Sequence, residues 1–264
     1  MRVFISVDIE GITGISTWKE AAEDPTYEAK KRMTEEVRVA CETAVLNGAT
    51  EIVIKDAHGE GKNLFVEQLP ECVKVISGWS NHPYSMVEGL DETFDGIIFM
   101  GYHSPALSNT SPLAHTLEPR KIRGIYLNDK PASELTLFSL VAKSIGVPII
   151  AITGDGGIIR ESKYMDSAIP TVATQEGFGG AMISVHPALT LKRIAHAVEE
   201  GMQKIKNEKV VFEMSEPFNI KVMFKRHQDA YKYSFYPQAK QLDEVTISLT
   251  SERYVDLLAF LLFI

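Results

Sequence analysis

The sequence predicts an α/β protein: a three-layer α/β/α core around a mostly parallel (mixed) sheet, followed by a smaller α+β subdomain. Two observations carry this reading. Up to about residue 207, short apolar runs alternate with stretches of helical periodicity, the pattern of strands paired in parallel through helical crossovers. Beyond it the texture changes to half-exposed alternating strands closed by an apolar helix. Neither an internal repeat nor a low-complexity linker interrupts the chain. Residues 1–207 are therefore read as the core and residues 208–264 as a subdomain packed on it, one structural unit.

The first strand is "VFISV", which stops at Asp8. A helix from Tyr27 to Asn47 follows, with Met33, Val37, Ala40, Cys41, Ala44 and Val45 at helical spacing and Gly48 as its stop. "EIVIK" before Asp56, "DGIIFMGY" before His103 and "GIYLN" before Asp129 continue the strands. "ASELTLFSLVAKSIG" is a helix ended by Gly146, and "VPIIAIT" before Asp155 is a further strand. "GDGG", Gly154 to Gly157, lacks the spacing of a phosphate-binding fingerprint and reads as a turn. "PALTLKRIAHAVEEGMQKI" is a helix with Pro187 in its first turn. "FNIKVMFK" and "EVTISLT" alternate as strands, and Ser251 to Ile264 reads as the closing helix.

With 27 basic against 35 acidic residues the net charge is −8, which argues against nucleic acid or an anionic membrane as partner. Cys41 and Cys72 are too few for a disulfide framework and read as free thiols in a reducing, cytoplasmic setting. The first apolar run is broken by Asp8 and does not read as a signal peptide. The apolar end "LLAFLLFI" is far shorter than the ~20 residues of a membrane span. It fits a helix buried in its own chain or one offered to a partner copy, and the sequence leaves both open.

In open α/β sheets, ligands bind beyond the carboxyl ends of the strands. Three strands deliver Asp8 with Glu10, Asp56 with His58, and His103 to that edge. Two carboxylates two residues apart in extended chain point the same way, and bringing them together without a cation is unfavourable. Carboxylates with neutral imidazoles are a ligand set for zinc or a similar divalent ion, and a pair of ions bridged by one carboxylate needs about five protein ligands. Each piece has a plainer reading. A lone strand-tip acid is commonly a cap, Asp56 can orient His58, and Glu134 in the first turn of a helix is favoured by the helix dipole.

The motifs "SVDIEGI", "KDAHG", "SMVEGLDETF", "GYHS" and "LNDKPASE" occur in that order and together resemble the M55 family of metallo-D-aminopeptidases. The resemblance is close over residues 1–160 and looser beyond. It implies dinuclear zinc ligands at Asp8, Glu10, His58, His103 and Glu134, with the aspartate bridging, and a catalytic histidine at His115 in "SPLAHTL". Asp56 is then a supporting residue, and His82, His186, His196 and His227 are structural. The resemblance further implies removal of N-terminal, D-configured residues from short peptides or amino acid amides. It also implies a homo-oligomer forming a large, decamer-like ring around an enclosed space. "ASE" before the second helix and the glycine-rich Gly177 to Gly180 depart from the family pattern and bear on substrate preference.

Two metals lower the pKa of a shared water and polarise the scissile carbonyl. His115 then assists as acid, as oxyanion donor or as nucleophile, and the sequence does not rank these roles. A two-metal phosphoesterase is the rival enzyme, although no Arg or Lys is obviously placed among the ligand motifs to clamp a phosphate. A metal-stabilised binding or assembly protein without turnover is the non-enzymatic rival, and it gives His115 no purpose.

Overall fold

The computed structural model describes residues 1–206 and 217–264. In chain order the first elements are β1 (Arg2–Val7), α1 (Tyr27–Leu46), β2 (Glu51–Asp56), β3 (Val73–Ile76) and β4 (Gly96–Tyr102). Next come β5 (Ile122–Leu127), β6 (Lys130–Pro131), α2 (Glu134–Ser144), β7 (Ile149–Asp155) and α3 (Gly156–Met165). They are followed by β8 (Thr171–Phe178), β9 (Ala181–Ser184) and α4 (Pro187–Ile205). The chain then runs through β10 (Phe218–Phe224), α5 (His227–Tyr233), β11 (Lys240–Gln241), β12 (Thr246–Ser251) and α6 (Tyr254–Leu262).

Seven strands form one sheet in the order β3-β2-β1-β4-β7-β8-β9, parallel throughout except for the β8–β9 hairpin. Its central strands β1, β4 and β7 are buried on both faces, as their near-continuous apolar sequences require. One face carries Val3, Ile5 and Ile98 against Met33 and Val37 of α1 and Ile194 and Val198 of α4. The other carries Phe4, Ile97 and Phe99 in a core shared with Leu135 and Phe138 of α2. That second core runs without a break into a five-stranded antiparallel sheet, β11-β12-β10-β5-β6, through Ile220, Val222 and Leu249.

The boundary expected at residues 207 and 208 lies outside the described residues. The five-stranded sheet draws β5 and β6 from one side of it and β10 to β12 from the other. The "GIYLN" strand thus differs from expectation, because β5 pairs antiparallel with β10 and does not join the parallel sheet. Its exposed Arg123 and half-exposed Tyr126 are the signature of a strand with only one buried face. "GDGG" is also more than a turn. Asp155 ends β7 and caps α3, its side chain accepting from the Ile158 N–H. Glycine at 157 is demanded by space, since a Cβ there would stand 2.2 Å from Ser104 Oγ and 2.1 Å from Thr110 Oγ1. At the C-terminus, Leu257, Leu258, Phe260 and Ile264 of "LLAFLLFI" are buried in their own chain, while Leu262 and Phe263 stay exposed. No described helix is long and apolar enough to cross a membrane.

Candidate metal centre

Parallel pairing of β2, β1 and β4 brings their carboxyl ends side by side, so Asp8, Glu10, His58 and His103 arrive at one point from three strands. The chain after β1 stays against β4 through the Asp8 N–H to Met100 O bond (2.9 Å) and the Gly11 N–H to Gly101 O bond (2.7 Å). Gly101 permits this approach: its φ is +66°, and a Cβ there would stand 2.2 Å from the Asp8 carbonyl oxygen. Glu134, the first residue of α2, and His115, from the loop between β4 and β5, complete the cluster. Asp8, Glu10, His58, His103 and Glu134 are all buried.

Each of the three histidines has one ring nitrogen on a backbone carbonyl and the other facing carboxylates. His58 Nε2 lies 3.0 Å from Ala22 O, and its Nδ1 lies 3.3 Å from Asp8 Oδ1 and 3.1 Å from Glu10 Oε2. His103 Nδ1 lies 3.0 Å from Ser104 O, and its Nε2 lies 3.4 Å from Asp8 Oδ2 and 3.2 Å from Glu134 Oε2. His115 Nδ1 lies 2.9 Å from Leu113 O, and its Nε2 lies 3.9 Å from Glu10 Oε1 and 3.8 Å from Glu134 Oε1. A carbonyl only accepts, so the nitrogen on it carries the proton, and in the neutral ring the inward nitrogen is a lone pair. Lone pairs on three imidazoles and three carboxylates therefore converge. His115 also stacks on His103, with ring centroids 4.1 Å apart and planes 8° from parallel.

The electrostatics without a cation are strained. Burial, and then the neighbouring Glu10 charge, push the Asp8 carboxyl well above its ordinary value. Burial opposes the charged form of His58 and His103, yet the adjacent carboxylates outweigh it and hold both rings well above the usual imidazole range. Burial raises Glu10 and Glu134, but the histidines more than reverse this and leave both lowered. His115 is lowered, by burial and by His103. Among the described residues, buried side-chain atoms without a hydrogen-bond partner are Asp8 Oδ2, Glu10 Oε2, Glu36 Oε2, His103 Nε2 and Thr246 Oγ1. Three of these five belong to the cluster, so the orphaned atoms concentrate where a cation would satisfy them.

The donor atoms fall into groups whose members lie within 4.8 Å of one another: Asp8, Glu10 and His58, and Asp8, His103 and Glu134. A further group joins Glu10, His103 and His115. The first two groups share Asp8 alone. Their oxygen and imidazole donors fit divalent zinc or a similar ion.

Supporting contacts hold the donors in place. Glu134 Oε1 accepts the Leu117 N–H at 2.6 Å, leaving Oε2 toward His103. Leu117 adopts φ +61° to do this, a costly conformation for a bulky side chain. Ser133 caps α2 and, with Thr136, hydrogen-bonds Glu161. Asp155 accepts from Ser104 N–H (2.7 Å) and Ser104 Oγ (2.6 Å), fixing the residue whose carbonyl orients His103. Asp56 supports backbone and does not touch the His58 ring. It accepts from the N–H groups of Asn63 and Leu64 and from Asn63 Nδ2, which also donates to His58 O. Within "SMVEGLDETF", Glu88 lies 3.0 Å from the buried Lys55 ammonium, which sits 3.9 Å from the ring centroid of Trp79. His82 accepts from the Tyr84 N–H and His186 caps α4, both away from the cluster.

The cluster floors a cavity of about 1170 Å³, walled by Trp18, Trp79, Ser85, Met86, Leu117 and Lys225 among others. Trp18 meets His115 edge to face, 5.2 Å between centroids. Sequence reasoning missed Trp18, Trp79 and Lys225, since isolated residues in loops carry no periodic or spacing signal.

Residues 1–263 match the model of the M55 peptidases, described as D-aminopeptidase. A D-aminopeptidase of Bacillus subtilis (strain 168) is 37% identical over 176 residues, 66% of this chain and 62% of that enzyme. This match therefore spans just under two thirds of the relative's own length. A solved structure, the Zn-dependent D-aminopeptidase DppA from Bacillus subtilis, a self-compartmentalizing protease, superposes with a TM-score of 0.90 at 26% identity. That superposition covers 100% of this chain and 96% of the other.

Proposed function

Because the chain belongs to the M55 family of D-aminopeptidases, we propose that it is a metal-dependent aminopeptidase working with two divalent ions, most simply zinc. Its substrates on this reading are short peptides or amino acid amides with an N-terminal, preferentially D-configured, residue. The observation that carries the proposal is the pair of ligand groups sharing Asp8 alone. Asp8 would bridge, with Glu10 and His58 Nδ1 holding one ion and Glu134 and His103 Nε2 the other. When bound, two such ions lower the pKa of a water and polarise the scissile carbonyl.

The chain's own residues supply the proton transfers and the orientation. His115 is held neutral, with its Nδ1 proton on Leu113 O and the Nε2 lone pair facing inward. That nitrogen takes the proton from the attacking water and returns it to the leaving amine, a base that becomes an acid. In this tautomer Nε2 has no proton to offer an oxyanion at the outset, which favours proton transfer over the oxyanion-donor role. Trp18 packs against His115 and keeps its ring in place. The phosphoesterase reading finds no cluster of cations to clamp a phosphate, because Arg120 is committed to Glu118 and Glu23 and Lys225 is the one other cation among the described residues of the lining.

The structural neighbour is self-compartmentalizing, and we extend assembly to this chain as a homo-oligomer, at its fullest a large ring. Exposed Tyr231, Phe235 and Phe263 on and beside α5 and α6 supply apolar surface for such contacts. Two free cysteines suit a cytoplasmic setting. The experiment is elemental analysis of the purified chain together with hydrolysis of L- and D-aminoacyl amides, dipeptides and aryl phosphates, with and without chelator. Close to two ions per chain and chelator-sensitive release of D-residues are expected. Full activity without metal, or turnover of phosphate esters alone, overturns the proposal.

A further inference from the structure

The cavity above the metal centre has an uneven charge. Its floor holds Asp8, Glu10 and Glu134, and its more exposed lining adds Glu23, Asp24, Glu60 and Glu118 against two cations, Arg120 and Lys225. The two cations are not equivalent. Arg120 Nε lies 3.0 Å from Glu118 Oε1, and its Nη2 lies 3.0 Å from both Glu118 Oε2 and Glu23 Oε1, so its guanidinium is spoken for. The Lys225 ammonium has no hydrogen bond or ion pair among the described residues.

Its place in the fold makes this stand out. Lys225 follows β10, where its N–H donates to Lys121 O at 2.9 Å, so four cations gather where β5 begins and β10 ends. Lys121 donates to Tyr233 Oη and Ile264 O, and Arg226 is held by both oxygens of Asp229. Arg120 is neutralised as described. Lys225 is the member of this group that lines the metal cavity with its charge uncommitted. The plain alternative is a solvated surface lysine, and it leaves the acidic lining a barrier to any anionic substrate group.

We infer that Lys225 recognises the free C-terminal carboxylate of the substrate, so that the preferred substrates are short zwitterionic peptides and not their amides. This rests on the aminopeptidase reading above. With two ions bound the floor's carboxylates are offset, whereas the outer lining holds Glu23, Asp24, Glu60 and Glu118 against Arg120 and Lys225, so a substrate carboxylate entering there meets Lys225 as its uncommitted cation. An ammonium on a flexible stem suits peptides of slightly different length. The contact is remote from the reacting bond and is made equally in ground and transition states. Its loss therefore raises KM and leaves the chemical step to the other residues.

The test uses the full-length, zinc-loaded chain with D-alanyl-D-alanine and its C-terminal amide. Both tryptophans of the protein, Trp18 and Trp79, line the cavity, so intrinsic fluorescence reports binding there. Titrations in a His115→Gln background measure affinity without turnover. Lys225→Gln is expected to lower the free-acid to amide ratio of kcat/KM about tenfold, mainly through KM, and the affinity ratio to match, the order of one charge-assisted hydrogen bond. Lys225→Arg should restore most of both ratios. Unchanged ratios in Lys225→Gln overturn the inference. If the parent chain binds both compounds and cleaves neither, the aminopeptidase reading fails while the affinity ratios still decide the role of Lys225. If neither compound binds, both fall.

Discussion

Replacing Glu36 with glutamine probes the energetics beneath the loop that carries Asp8 and Glu10. Glu36 sits on α1 with 1% of its surface exposed. Its Oε1 accepts the Thr13 N–H at 3.0 Å, three residues beyond Glu10, and its Oε2 has no partner. Burial raises the carboxyl from 4.5 to about 7, with the Thr13 hydrogen bonds and Arg32 only partly offsetting it. The sign follows from linkage. A group with a raised folded pKa contributes stability that is fully present below 4.5 and is lost as the pH rises through about 7. At about 1.4 kcal/mol per pKa unit, the loss amounts to about 3 kcal/mol. Glutamine mimics the protonated carboxyl and keeps the acceptor for Thr13. Denaturant unfolding of the parent and Glu36→Gln chains between pH 5 and 8.5, at equal zinc, isolates this group, because other titrations cancel in the difference. The variant should gain on the parent by somewhat over 1 kcal/mol per pH unit up to about pH 7, then level off. A difference that stays flat across the range refutes the assignment.

Asp8→Ala should abolish binding of both ions, whereas His58→Ala should weaken one of them, both followed by elemental analysis after dialysis. Equal losses in the two variants would contradict the sharing of Asp8. His115→Gln should keep its metal and its fold and lose a factor on the order of 10²–10⁴ in kcat, and a rate near that of the parent removes His115 from the chemistry. Asp155→Asn, which loosens Ser104 and through it the His103 ring, should lower the affinity for one ion about tenfold as measured by competition with a chromophoric chelator. An unchanged affinity there makes Asp155 a helix cap and nothing more.

The strand tips were legible because physics writes them locally. Runs such as "VFISV" and "DGIIFMGY" have both faces buried, and any charged residue that ends such a run must lie at the sheet edge. That reasoning alone placed Asp8, Glu10, His58 and His103 together. Glu134 was ambiguous, since a first-turn glutamate looks the same whether it serves the helix dipole or faces a cluster. Only its burial and the Leu117 N–H on Oε1 separate the two surroundings. His115, Trp18 and Lys225 lie outside regular elements and were beyond periodicity, and His115 was singled out by family resemblance. The sheet to which β5 belongs was missed for a related reason. A six-residue strand shows its neighbours only through which of its faces is wet, and Arg123 was the sole clear marker.

The cluster also shows how a fold prepares a site that repels itself. Three carboxylates in one buried place disfavour the folded chain unless something compensates, and the compensation visible in the protein alone is partial. Ile9 N–H satisfies Asp8 Oδ1 and Leu117 N–H satisfies Glu134 Oε1. Three carbonyls, those of Ala22, Ser104 and Leu113, fix the rings of His58, His103 and His115. These contacts orient the donors but leave Asp8 Oδ2, Glu10 Oε2 and His103 Nε2 without a hydrogen-bond partner, so the site is oriented and not neutralised. The remaining cost must be met by positive charge, as protons on His58 and His103 or as metal. Protons meet it badly, because a ring protonated at its inward nitrogen serves one carboxylate well and leaves Asp8, which faces both rings, underserved. On the proposed reading, two divalent ions would serve these donors together. Metal binding on that reading would be coupled to the stability of the loops that carry Ala22 and Leu117, and these loops hold Trp18 and His115 over the site.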